Sequence, residues 1–145
     1  MRSIILSSAV LGLAAGASAE VLTIEPGQWT YDTTVSMTMN MNGQAMPMPA
    51  QTETTSECIS SEDATLDPAD ITEEECEVSE VKKTADSLSF ALRCSQNGMI
   101  MPGNMNMSEN AAGTETSGRF TMTGTGQGMV MNISGNLKGK RTGDC

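Results

Sequence analysis

The chain contains no histidine. That absence removes the imidazole base on which serine and cysteine triads depend, and the usual partner of cysteine in zinc centres. Aromatic residues make up only 3% of the sequence, namely Trp29, Tyr31, Phe90 and Phe120. Other side chains must therefore fill the core, and the aromatic girdles of an outer-membrane barrel are missing. Basic residues are scarce too, 8 against 18 acidic ones, for a net charge of −10. Such a chain is repelled by nucleic acid and by anionic membrane surfaces. There is no phosphate loop and no dinucleotide fingerprint. Carboxylates cluster only between Glu62 and Glu80, without the spacing or central glycine of an EF-hand. A solvated acidic loop is the expectation there. No catalytic constellation is present, so neither an enzyme nor a bound cofactor is expected.

Long apolar runs are lacking as well. The best of them, Ile4 to Ala17, is broken by Ser7 and Ser8 and falls short of the ~20 residues that span a bilayer. It has another meaning. Arg2 precedes it, Ala17-Ser18-Ala19 follows as a small-x-small site, and Glu20 comes next. This order predicts a cleaved secretory signal peptide over residues 1–19. A mature chain of 20–145 would then be a single exported domain. No cysteine follows the cleavage site, which argues against a lipid anchor, and nothing later is apolar enough for a membrane span.

What the chain does have is four cysteines, at 58, 76, 94 and 145. An even number in an exported chain reads as two disulfides, whereas a metal cluster lacks any CxxC spacing. A hairpin centred on Ala85 sets Cys76 opposite Cys94, at a separation that suits a disulfide. Cys58 is left to pair with Cys145. In the loop-entropy account each bridge contributes roughly 3–5 kcal/mol.

From Trp29 to Met41 apolar and polar residues alternate without a break, the signature of a half-buried strand. Asn42-Gly43 follows, a strong two-residue hairpin signal. A turn centred there opposes Met39 to Met46, Met37 to Met48, Val35 to Ala50, Thr33 to Thr52 and Trp29 to Ser56. Pro47 and Pro49 place the returning strand at an edge. Ser60-Ser61-Glu62-Asp63 resembles a helix start, which Pro68 would cut to a turn or two. Further on, the symmetry of Met99-Ile100-Met101-Pro102-Gly103-Asn104-Met105-Asn106-Met107 predicts a tight turn at Gly103. Gly126-Gln127 predicts another, pairing Met122 with Met131, Phe120 with Ile133, Gly118 with Gly135 and Thr116 with Leu137. The fold expected is all-β: a single antiparallel meander of six to eight strands, either a curled sheet or a small up-and-down barrel. A short helical, acidic loop and two disulfides complete it.

Glu25-Pro26-Gly27-Gln28-Trp29, Met48-Pro49 before Cys58, Ser61-Glu62-Asp63-Ala64, the cysteines 76 and 94, and the ending Arg141-Thr142-Gly143-Asp144-Cys145 occur in that order. The pattern resembles the DUF3617 family of bacterial exported proteins across essentially the whole mature chain. The resemblance implies a periplasmic protein and brings no activity or catalytic residues with it.

Methionine is the unusual component: 13 residues, of which only Met1 lies in the expected leader. Two functions are consistent with it. A small non-enzymatic binding or structural module, monomeric, would use a methionine-lined face to hold an apolar ligand or meet an envelope protein. Alternatively, thioether sulfur selects Cu(I) or Ag(I), and Met37, Met39, Met46 and Met48 are the expected ligands. Core filling would account for Met37, Met39, Met122, Met129 and Met131. Met46, Met48, Met99, Met101, Met105 and Met107 sit beside proline and turn residues.

Overall fold

The computed structural model describes residues 20–145; the expected signal peptide, 1–19, lies outside them. The elements are β1 (Leu22–Thr23), β2 (Gly27–Met41), β3 (Gln44–Ile59), β4 (Thr65–Leu66), α1 (Pro68–Ile71), β5 (Cys76–Lys83), β6 (Ser87–Gln96), β7 (Met99–Glu109), β8 (Glu115–Gly126) and β9 (Met129–Gly143). Seven strands form one antiparallel sheet in the order β3-β2-β9-β8-β7-β6-β5, and β1 pairs with β4 apart from it. The order is an up-and-down meander in which β2 meets β9, as in a barrel. The ring is not closed: β3 and β5 are the two edges.

Three hairpins turn on two residues with positive φ at both: Asn42-Gly43, Asn97-Gly98 and Gln127-Gly128, with φ between 51° and 79°. That twist matches the flanking strands, and glycine in second place adopts it without steric cost. The expected turn at Gly103 does not exist. Residues 99–109 run straight through as β7, and the chain reverses at Asn97-Gly98 instead. Pro102 is accommodated because the ladder to β8 passes from Ile100↔Thr125 to Gly103↔Met122, so its missing N–H falls in the gap. The last hairpin also turns one residue later than expected. Gly126 pairs with Met129, which sets Met122 opposite Ile133, Phe120 opposite Gly135, Gly118 opposite Leu137 and Thr116 opposite Gly139. The shift of two in register keeps the same residues on the same face.

In the first hairpin Met39↔Met46 and Met37↔Met48 pair as expected, but beyond them Val35 faces Gln51, Thr33 faces Glu53 and Trp29 faces Glu57. The extra residue on β3 falls at Pro49-Ala50, where a bulge absorbs the proline's missing donor. A second irregularity interrupts β5–β6 between Ser79 and Lys82, leaving Cys76 opposite Cys94 as expected. Ser60–Asp63 forms only one hydrogen-bonded turn. The helix starts later, with Asp67 accepting the Ala69 N–H at 2.9 Å. Pro68 therefore begins the helix rather than limiting it, as its fixed φ and absent N–H allow at the first position.

Pairing register sorts the sheet into two unlike faces. Thr30, Asp32, Thr34, Asn132, Asn136, Ser117, Thr121, Asn104 and Ser108 share one side. All methionines from Met37 to Met131 share the other. Only part of that second side is covered. Leu22 packs on Leu88, Phe90, Leu92, Cys94 and Met107, with Leu66 and Ile71 alongside. Ile24, Trp29, Ile59 and Ala64 form a smaller cluster. Both clusters lie under β1 and the segment 60–75, which links the two sheet edges. The disulfides Cys58–Cys145 and Cys76–Cys94 are both present.

A candidate ligand-binding face rich in methionine

The apolar side of the sheet continues past the segment that covers it. On the first hairpin, Met46 and Met48 are each 44% exposed and Met41 is 38% exposed. The four methionines singled out from sequence do come together, as two directly opposed pairs. The pairing of β2 with β9 then adds what sequence spacing did not show: Met39 also opposes Met131, and Met41 opposes Met129. Next along the same rung stands Gly124, opposite Met131. A β-carbon there would meet Met101 Cγ at 2.9 Å and Met99 Cε at 3.1 Å, so these two side chains lie over the gap the glycine leaves. A row of thioethers thus crosses five strands.

Core filling does not describe most of this row. Neither buried cluster takes in Met37, Met39, Met129 or Met131. Met107, by contrast, is buried at 5%, and Met101, Met105 and Met122 pack against the larger cluster.

Between the row and α1 lies a cleft of about 340 Å³. Ile71, Leu92, Met101, Met105, Phe120, Met122 and the Cys76–Cys94 bridge wall it, with Thr72, Glu73, Glu75 and Gln96 at its margin. Four larger hollows also occur among the described residues, and the two largest, of 690 and 830 Å³, open mainly onto the other side of the sheet. The walls of these two are mainly polar and charged side chains, some of them hydrogen-bonded in pairs, as in Ser108–Ser117 and Arg119–Asn136. They are wet surface. The apolar cleft is where a ligand would gain from leaving water.

Among the described residues, Tyr31 and Glu109 have shifted proton affinities. Tyr31 stacks on Trp29 with ring centroids 5.9 Å apart and planes 14° apart. Burial, and after it the charge of Glu57, pushes its hydroxyl up to about 12. The Glu109 carboxyl is raised chiefly by burial, with Lys83 opposing and Asp86 adding to the shift. Its Oε2 is buried without a hydrogen-bond partner. No group of three or more His, Cys, Asp or Glu side chains suited to a metal occurs among the described residues. No cysteine is free. Thioether sulfur is therefore the soft donor this surface offers. Also among the described residues, no helix is long and apolar enough to cross a membrane.

The opening and closing motifs of the chain meet at one corner of the sheet. Arg141 Nε donates to the Pro26 carbonyl at 2.8 Å, its guanidinium pairs with Asp144, and Trp29 Nε1 donates to the Glu25 carbonyl at 2.8 Å. Cys145 is tied to Cys58 beside them. No curated protein matches this chain. A family model described as "Protein of unknown function (DUF3617)" matches residues 24–145, a span that takes in all of this corner, and the chain belongs to that family.

Proposed function

We propose that the chain is an exported, periplasmic, non-enzymatic binding protein that holds a small apolar molecule in the cleft between α1 and the methionine face. The cleft carries the reading: an apolar hollow on the one side of the sheet that β1 and the 60–75 segment leave partly open. Methionine suits such a wall because its unbranched, polarisable side chain repacks around ligands of differing shape. Burying apolar ligand surface there is worth about 25 cal/mol per Å² before the cost of association. Export rests on Arg2, the apolar stretch after it and Ala17-Ser18-Ala19. The test is titration with an uncharged naphthylamine dye whose fluorescence rises in apolar surroundings. Wild type binds it, and Ile71→Asp or Met122→Lys weakens binding about tenfold, the size of a 1.4 kcal/mol loss. Thr34→Lys on the polar side leaves it unchanged. Equal binding by all four proteins contradicts the proposal.

A further inference from the structure

We propose a second site on the same face, independent of the cleft: a Cu(I) or Ag(I) site built by Met46, Met39 and Met131. These residues occupy one rung across β3, β2 and β9, with Met39 opposed to Met46 on one side and to Met131 on the other. Adjacent strands are about 4.8 Å apart, so the outer two Cα atoms stand about 10 Å from each other. A trigonal centre with metal–sulfur bonds of about 2.3 Å, the length in thiolate sites, needs sulfurs about 4 Å apart. Each outer side chain has to lean inward by about 3 Å, within the reach of its three rotatable bonds. The rung lies outside both buried clusters and Met46 is 44% exposed, so these side chains are not locked into the core.

The electrostatics and the ligand inventory agree. A net charge of −10 attracts a monovalent cation. With no histidine in the chain and no free cysteine among the described residues, neither imidazole nor thiolate competes for it. Thioether sulfur discriminates against the harder divalent ions. Met41 and Met129, one rung nearer the turns, form a further opposed pair beside the triad. Binding consumes and releases no proton, because thioethers carry none at neutral pH.

The probe is Ag(I), which stays in one oxidation state, added to the oxidised protein purified without a histidine tag. Native mass spectrometry is expected to show one tightly held ion. The triple change Met39→Leu, Met46→Leu, Met131→Leu keeps volume and apolarity and removes sulfur. It is expected to weaken Ag(I) binding by tenfold or more, while circular dichroism shows an unchanged sheet. Met105→Leu with Met122→Leu, in the cleft, is expected to leave Ag(I) binding intact. X-ray absorption of the Cu(I) form is expected to show a first shell of sulfur alone. Wild-type affinity in the triple variant, equal loss in the cleft variant, or a first shell of nitrogen or oxygen overturns the site. The dye titration of the cleft is unaffected by any of these results, so the two readings fail separately.

Discussion

The ring of Phe120 lies where a side chain on Gly135 would have to stand. The two residues are directly opposed on β8 and β9, and Gly135 also faces Val35 on β2. Glycine here makes room for an aromatic that a sheet poor in aromatics uses to cover backbone. Gly135→Ala is expected to cost roughly 1–3 kcal/mol by overpacking. Gly118→Ala, whose nearest neighbour would be Leu137 Cβ at 3.6 Å, is expected to cost much less. Urea denaturation of both variants measures the difference, and equal losses would show that the ring moves freely.

The two disulfides close loops of very different length, 87 residues for Cys58–Cys145 and 18 for Cys76–Cys94. Loop entropy assigns them ~4.5 and ~3 kcal/mol respectively. Replacing Cys58 and Cys145 by serine is therefore expected to lower the melting temperature more than replacing Cys76 and Cys94. The reverse order would mean that burial of Cys94 in the larger core cluster outweighs chain entropy.

Much of this architecture is legible in the residues, because strands such as β7, β8 and β9 alternate exposed residues with more buried ones, although β3 is exposed along almost its whole length. The alternation from Trp29 to Met41, the Asn42-Gly43 turn and the opposition of Cys76 to Cys94 all appear in the structure, although the β5–β6 turn falls between Ala85 and Asp86 and the bulge between Ser79 and Lys82 brings the two cysteines back into register. Local errors share a cause. Pro49 takes up a bulge, and Pro102-Gly103 sits inside a strand instead of turning it, since a break in one ladder is enough to accommodate a proline. Asn97-Gly98 carries the same turn signal as Asn42-Gly43, but the symmetry of the methionines around Gly103 competes with it. The site was half legible. Hairpin spacing pairs Met37, Met39, Met46 and Met48, whereas Met129 and Met131 join them only through contact between β2 and β9, more than 80 residues apart in sequence. No local pattern encodes that contact.

Glu109 is expected to make stability depend on pH in the acid range. Its folded-state carboxyl is raised above its ordinary value, mainly by burial. The protonated form is thus the one the fold favours. Its contribution is fully present below the unfolded value of ~4.3 and is lost as pH rises through the higher folded value. The melting temperature of Glu109→Gln minus that of wild type should therefore grow from pH 4 to pH 7. A flat difference would place the carboxyl in water.

Tyr31 is expected to act in the alkaline range with the same sign. Its hydroxyl ionises near 10 in the unfolded chain and at about 12 in the folded one. Stability is retained below the first value and declines up to the second. Tyr31→Phe has no such group, so wild type should lose stability relative to this variant between pH 10 and pH 12. Parallel decline of the two proteins would contradict the burial of the hydroxyl.

The two proposed sites, the cleft and the thioether rung, lie on one side of the sheet. Methyl-¹³C labelling of methionine reads that side directly, because all the methionines from Met37 to Met131 lie on it. Methyl resonances are recorded first with the uncharged naphthylamine dye and then with Ag(I). The dye is expected to move Met101, Met105 and Met122, and Ag(I) to move Met39, Met46 and Met131. If neither probe moves any methyl resonance, the methionine side is not a binding face.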